Sequence, residues 1–557
     1  MDKESTNSIF PLSYLYKNEK IRAGQVYLRQ PINGEWHEYT WQQTMSIARR
    51  LANFLKKIGL QPGDRVAILS KNCAEWLMAD FAIMLAGMVS VPLYASQQSD
   101  EIHLILQHAE CKLIFVGKLD KPEMQKAGVP EHLVRVAFPY PNTLPATYQW
   151  NAILNEYLPM TESPLPKPDD LMTIIYTSGT TGEPKGVMIT YETIACYHDS
   201  GLQDFKQLNL PNYLHFISYL PLAHVVERVA VELLSLDWDS SISFVESLET
   251  FNENLREISP DLFFAVPRIW KIFQSGILAK IPQKRLDLLL KIPLLNTLLK
   301  KKIKSSLGLQ RSAFNLTGAA PISPSILSWF AKLDIIVYEG YGQTENLAYA
   351  TLCKPNNNKI GATGKLRHGV QGKIAENGEL LLKSPGSMAG YYRDPELTAS
   401  LYTADGFMRT GDQATIDKEG YISIIGRVKD PFKTAKGEYV NPFPIEHQFV
   451  QNPLIGQCCL VGSGLNHTLL IVTLSPEAKK QGRSTLEKSL SATLEAINPT
   501  LSSYQQVGHL YIVKSEWTIE NNLLTPTQKI KRQAIEAQYQ SQFATIDSNE
   551  PVVIWEL

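Results

Sequence analysis

Short apolar runs alternate with longer stretches of helical periodicity through most of this chain. Arg65–Leu69 (RVAIL) follows the turn signal QPGD and reads as a buried strand. Residues 72–88 read as a helix and 112–116 (KLIFV) as the next strand; 214–219, 241–245 and 262–265 repeat the theme. This alternation predicts α/β architecture with largely parallel, buried sheets. Residues 76–95 (WLMADFAIMLAGMVSVPLYA) have the length of a membrane span, but Asp80, Gly87 and Pro92 interrupt them. A buried helix, a turn near Gly87 and a short strand account for the pattern better.

From about Gly364 the texture changes. Turn signals crowd together (RHGVQGK, ENGE, SPGS, DKEGY) around short strands such as ELLLK and YISII, which predicts a small β-rich subdomain over 364–426. After GRVKD comes a segment with strands near 456–461 and 469–474 and a helix near 531–542. We expect a large domain over 1–426 and a smaller α+β domain over 427–557. Composition changes little in this picture. A net charge of −1 argues against a nucleic-acid partner. Six cysteines without a CxxC pair suit reduced thiols in a cytoplasmic protein, and MDKESTNSIF lacks a signal peptide's apolar core.

Candidate chemistry begins at YTSGTTGEPKGVMIT. Thr177, Ser178, Thr180 and Thr181 supply hydroxyls, Gly179, Gly182 and Gly186 supply backbone freedom, and Lys185 supplies charge. Such a loop can turn several N–H groups onto a polyphosphate. Gly182 is followed by Glu183, Pro184 and Lys185, which excludes a Walker-type loop. A phosphate cradle and a polar turn between two strands both remain open. FNLTGAAPISP ends an apolar strand in small residues that let a flat ring approach the backbone. In EGYGQTE, Tyr341 offers a ring for stacking and Glu345 a hard oxygen suited to Mg²⁺, or an acid opening a helix. FMRTGD and GRVKD follow, and TPTQKIKR near the end carries a lysine that by itself reads as solvated.

In order and spacing these segments resemble the signatures of the adenylate-forming enzymes, the superfamily of acyl-CoA synthetases, firefly luciferase and peptide-synthetase adenylation domains. The resemblance runs from about Tyr39 to Tyr539. It implies a mobile C-terminal domain, ATP and Mg²⁺ as cofactors, and CoA as co-substrate. It implies that residues 177–182 and Lys185 hold phosphates and that Gly318, Ala319 and Ala320 line the adenine pocket. Glu339, Gly340, Tyr341, Gly342 and Gln343 would complete the nucleotide site, with Thr344 and Glu345 at the phosphates and metal. Asp412 and Arg427 would hold the ribose, Lys429 would be the hinge, and Lys529 the catalytic lysine. Gln528 stands where the family commonly has glycine. Ala435, Lys436 and Gly437 would flank a pantetheine tunnel.

SYLPLAHVVER, DLFFAVPRIW and KTAKGEYVNPFPIE resemble the long-chain fatty acid–CoA ligase branch. The resemblance implies an acyl pocket bounded by His224 and Val266; for His224 a capped turn is the other reading. Asp239 stands near a position where the family usually has glycine, so it is expected either to reshape the tunnel or to face solvent. Residues 284–304 alternate basic and apolar side chains. They admit two readings: a helix pair covering the core with a break at Pro293, or a peripheral contact with an anionic membrane. Two alternatives to a CoA ligase stand beside it: an acyl-AMP ligase loading a separate carrier protein, and a non-catalytic nucleotide-binding protein.

Overall fold

The structure is a computed structural model and describes residues 11–178, 184–208, 210–465, 467–543, 546 and 551–556. Its backbone is an eight-stranded sheet. From one edge the order is Gly390–Tyr391, Pro184–Thr190, Leu171–Ser178, Val89–Leu93, Arg65–Leu69, Leu113–Val116, Val134–Ala137 and Tyr148–Gln149. Five of its joins are parallel. The two on the Gly390 side are antiparallel. The would-be membrane span is the helix Ala74–Leu85, a turn with Gly87 at φ 73°, and the strand Val89–Leu93. Both elements are wholly buried, which explains their unbroken apolarity without a bilayer. Among the described residues no helix is long and apolar enough to cross a membrane, and all six cysteines are free.

Two further sheets complete the large lobe's α/β part. One runs Tyr213–Ser218, Asp239–Phe244, Val26–Ile32, Glu35–Thr40. The helix Trp41–Lys57 packs between its strands Val26–Ile32 and Glu35–Thr40 and the helix Ala74–Leu85, started by a capping box in which Thr40 and Gln43 bond each other's backbone N–H. The other runs Leu262–Phe264, Phe314–Thr317, Val337–Tyr341, Thr351–Leu352, Lys365–Leu366. Its first three strands are parallel, so their carboxyl ends share one edge. The turn-rich segment forms an antiparallel sheet of Gln371–Ile374, Glu379–Lys383, Met408–Ile416 and Ile422–Arg427.

The small C-terminal lobe has its own sheet: Ile455–Val461, Thr468–Leu474, Val507–Ile512 and Val553–Trp555. The helices Arg483–Ile497 and Arg532–Phe543 flank it, burying Leu490 and Leu494 in one cluster and Ile535 and Tyr539 in another. The architecture is thus α/β with a large N-terminal and a smaller C-terminal domain.

Candidate active site

A cleft of about 2920 Å³ lies between the lobes. Its floor is the edge where the parallel strands end. Leu262–Phe264 delivers Val266, Phe314–Thr317 delivers Gly318, Ala319 and Ala320, and Val337–Tyr341 runs into Gly342–Glu345. Ligands collect at such edges because the loops leaving parallel strands are free to converge there. The close approaches demand small residues. A Cβ on Gly342 would lie 2.3 Å from the Ala348 carbonyl carbon, and one on Gly318 would lie 2.9 Å from the Gly340 oxygen. Ala319 holds a left-handed backbone at φ 64°.

Asp412 sits on the strand Met408–Ile416 directly opposite Arg427. Its carboxylate receives Arg427 Nε at 2.8 Å, the Tyr341 hydroxyl at 2.5 Å and Gln343 Nε2 at 2.8 Å. Burial pushes its pKa up, and Arg427 pulls against that shift. Glu345 receives the Tyr391 hydroxyl at 2.9 Å, and Lys185 Nζ stands 5.7 Å from the centre of the Tyr391 ring. Tyr391 therefore ties the phosphate-loop lysine to the candidate metal carboxylate. Nothing in its own GYY context marked it, because the contact spans 46 residues. Glu339 lines the cleft, its pKa pushed up to about 7 by burial.

The strands Leu171–Ser178 and Pro184–Thr190 pair as a hairpin, with Thr177 opposite Lys185, and both residues line the cleft. The loop expected to hold phosphates closes this hairpin. Gly179, Thr180, Thr181 and Gly182 lie outside the described residues, as does the Ser178 side chain.

The small lobe contributes Lys529. Its side chain is open to the cleft's water yet enclosed by both lobes. That enclosure and the neighbouring Arg427 push its pKa down, opposed by Asp412 and Glu345. Gln528, in the family's usual glycine place, takes the left-handed conformation a glycine would favour, at φ 61°. It accepts a 2.6 Å hydrogen bond from Arg268 Nη1 at the start of the helix Pro267–Lys280. Sequence reasoning missed Arg268, since no local signal pairs residues 260 positions apart. Lys429 lies in the turn straight after the strand Ile422–Arg427, exposed and on the cleft wall.

Ala435, Lys436 and Gly437 are not brought to the cleft. They form the exposed tip of the hairpin between Phe432–Lys433 and Tyr439–Val440. The Ala435 N–H donating to Leu465 O at 3.0 Å holds that tip against the small lobe.

His224 joins both of its sequence readings. It caps Val225–Glu227, its Nδ1 accepting from the Val226 N–H at 3.2 Å, and it lines the cleft. Burial, then Lys529, lowers its pKa to about 4, so the ring is neutral near pH 7. Beyond it the helix loosens into a π-turn, Arg228–Leu233. Arg228 is fully buried there, with Asp80 at 2.6 Å and Glu232 at 3.2 Å. Burial drives the Glu232 pKa up. From His224 the cleft continues along Val225, Val226, Val229 and Ala230 to Tyr197 and Phe205. Tyr197, Phe205 and Val229 also wall a second, mostly apolar cavity ending at Tyr14, His198 and Asp237. Asp239 lines neither space. It lies at the start of the strand Asp239–Phe244, 3.9 Å from Arg22 and partly open to solvent, so of its two expected roles the structure leaves the outward one.

A two-lobed α/β protein with strand-end loops around a deep cleft, and a lysine carried in by the second lobe, has the form of a nucleotide-dependent activating enzyme. The chain belongs to the AMP-binding enzymes: that family's model matches residues 19–392, and the model of the AMP-binding enzyme C-terminal domain matches residues 430–549.

Among curated relatives, the long-chain-fatty-acid–CoA ligase FadD15 of Mycobacterium tuberculosis is 27% identical, over 96% of both chains. Fatty acyl-CoA synthetase A of Dictyostelium discoideum is 29% identical over 92% of this chain and 87% of its own. Among solved structures, the adenylation domain of a carboxylic acid reductase from Segniliparus rugosus, bound to AMP and a carboxylic acid, superposes with a TM-score of 0.77. It is 20% identical, over 97% of this chain and 94% of its own. ATP-bound MatB from Rhodopseudomonas palustris gives 0.74 at 21% identity, over 96% and 99%. These likenesses show the fold.

Proposed function

We propose that the protein activates a long-chain fatty acid with ATP, forming acyl-AMP and pyrophosphate, and then passes the acyl group to the thiol of CoA. The observation that carries this reading is the delivery of Lys529 from the small lobe into a cleft already holding Asp412, Arg427 and Glu345. A carboxylate is a poor electrophile because its leaving oxide is strongly basic; AMP is a far better leaving group. The carboxylate oxygen attacks the α-phosphorus, and charge accumulates on the phosphoryl oxygens and pyrophosphate. Fixed positive groups at those oxygens lower the barrier. Lys529 and Lys185 would supply that charge, with residues 177–182 as the phosphate cradle.

Gly318, Ala319 and Ala320 would admit the adenine, with Glu339 and Gly340 bounding the pocket and Tyr341 stacking on the base. Asp412, positioned by Arg427, Tyr341 and Gln343, would take the ribose hydroxyls. Glu345 fits a Mg²⁺ site of the kind completed by substrate phosphates and water: one of its carboxylate oxygens is held by Tyr391, and among the described residues none bonds the other, which a cation could take. Bound there with Thr344 beside it, the metal would neutralise phosphate charge. A neutral His224 beside the reacting carboxylate adds no competing positive charge.

The long-chain reading is supported by the apolar path from His224 past Val229 towards Tyr14 and by the names of the relatives. Each buried CH₂ adds roughly 0.8 kcal/mol, so a deep path rewards length. The second cavity holds about 20 Å³, so a tail entering it must displace some of the side chains that line it. Transfer to CoA calls for a second pose of the small lobe, turning about Lys429 and bringing Ala435, Lys436 and Gly437 towards the thiol's path. Product analysis with acids of graded length, ATP, Mg²⁺ and CoA tests the whole reading in the cytoplasmic setting we assign. AMP release should depend on CoA and on a long acyl chain. Acyl-AMP that accumulates regardless of CoA would favour the carrier-protein alternative. Val229→Trp should move the preferred acid to shorter chains and leave the KM for ATP unchanged; no movement would detach the apolar path from acid choice.

A further inference from the structure

The helices Gln283–Leu290 and Pro293–Ser306 form a hairpin directly after the helix Pro267–Lys280, whose residues line the cleft as far as Ala279. Its inner face is ordinary. Leu286 and Ile303 are buried, and Leu290, Leu299 and Leu307 pack on the same core. Its tip and outer face are bare: Leu288 is 62% exposed, Ile292 42%, Leu294 82%, Leu295 44% and Leu298 65%. Five large apolar side chains within eleven residues, turned to water, cost solvation that a merely structural helix pair would avoid.

The charge on the hairpin is equally one-sided. It carries Lys284, Arg285, Lys291, Lys300, Lys301, Lys302 and Lys304 against a single acid, Asp287, in a chain whose net charge is −1. Among the described residues only Lys300 has an ion-pair partner, Asp334 at 3.0 Å. At 3.6 residues per turn Leu294, Leu298, Lys301 and Lys302 share one flank of their helix, opposite Leu299 and Ile303. Lys301 and Lys302 stand about two turns behind the apolar tip, roughly 11 Å at 1.5 Å per residue. That spacing matches an interfacial element, whose apolar side chains sink roughly 5–10 Å into the acyl boundary while cations stay among the headgroups.

We propose that this hairpin docks the enzyme on an anionic lipid bilayer, with Ile292, Leu294, Leu295 and Leu298 inserted and the lysines on lipid phosphates. A second copy of the chain fits poorly, because a two-fold contact would set seven cations against seven. The surface is separate from the cleft, so binding to lipid is measurable without turnover and stands or falls apart from the proposed reaction.

Flotation of the full chain with phosphatidylcholine vesicles, alone or with about one-third phosphatidylglycerol, tests it. Co-flotation is expected only with the anionic vesicles, and raised salt should weaken it. Replacing Lys301, Lys302 and Lys304 together by glutamine should weaken binding on the order of 100-fold. Leu294→Asp with Leu298→Asp should abolish binding while leaving the melting temperature unchanged, since both side chains are exposed already. The proposal is overturned if the native chain stays out of the anionic vesicle layer or if the variants float as well as it does. It is equally overturned if light scattering shows a dimer that Leu294→Asp dissolves.

Discussion

The large lobe holds its cleft together by dense, buried bonding; the small lobe is held against it by a handful of polar contacts. On the large lobe Asp412 has three partners within 2.8 Å, and Glu345 is fixed through Tyr391. Between the lobes the ties include Arg268 to Gln528, Lys271 Nζ to Ile455 O at 3.0 Å and Ser325 Oγ to Gln451 Oε1 at 3.0 Å. The buried apolar clusters of the small lobe take members only from Val440 onward, and those of the large lobe none beyond Ile422. A joint without a shared apolar core can open by exchanging protein hydrogen bonds for water, at little net cost per bond. In the proposed reaction, one lobe would hold a fixed charge pattern, and the other would bring a lysine to it and withdraw.

The largest expected effect comes from removing what the small lobe carries. Lys529→Ala should lower fatty-acid-dependent ATP–pyrophosphate exchange by about 10²–10³-fold, the range for loss of one fixed transition-state donor. Unchanged exchange would falsify its role in adenylation. Next is the joint. Lys429→Pro fixes φ at one residue of the turn; it should spare pyrophosphate exchange and slow thioester formation by about tenfold or more, whereas equal loss in both assays would put the hinge elsewhere.

The contact between lobes can then be tuned. Arg268→Ala should reduce exchange only a few-fold, because one exposed hydrogen bond contributes about 1 kcal/mol. Gln528→Gly loses the same bond but relaxes the left-handed backbone, by roughly 1 kcal/mol, so it should fall between Arg268→Ala and the native chain. If Gln528→Gly proves the more harmful, the Arg268 contact is not what holds the pose.

The last expected effect is on stability and not on rate, and it concerns the large lobe's interior. Glu227 is buried, accepting from Ser218 Oγ at 2.8 Å, and burial raises its pKa to about 8. The native state therefore holds a proton that the unfolded chain gives up above its ordinary carboxylate pKa. This group's contribution to stability falls as pH rises from about 4.5 to 8, by at most roughly 1.4 kcal/mol per pH unit. Glu227→Gln should remove that slope from denaturation midpoints measured across the range. His224 acts oppositely: its lowered pKa means stability is lost as pH falls from about 6.5 towards 4.

Much of this was legible in the chain. The strands around Arg65, Leu113, Leu214 and Leu262 stand within a residue or two of the expected places; the first two are almost wholly buried, and such strands are apolar nearly throughout. The small residues after the strand at 314–317 announced close approach, and a Cβ on Gly318 would collide; at Gly342, where a Cβ would also collide, only the structure shows it. The cleft gathers His224, Val266, residues 318–320 and 339–345, Asp412, Arg427 and Lys529, all named from local motifs. The Lys284–Lys304 region is a helix pair broken at Pro293 as one reading had it. What periodicity could not give is that its tip lies beyond the core it was expected to cover.

The sequence by itself determined the local parts: which strands are buried, where the chain must turn, and which short segments carry hydroxyls, carboxylates or lysine at fixed spacing. Neighbours in the chain are neighbours in space, so residue identity suffices there. Only the tertiary structure decided that Tyr391 reaches Glu345, that Arg268 holds Gln528, that Asp239 turns outward to Arg22, and that the hairpin leaves its leucines in water. Each depends on how separately folded elements pack, and a side chain's exposure is a property of what lies beside it, not of the side chain.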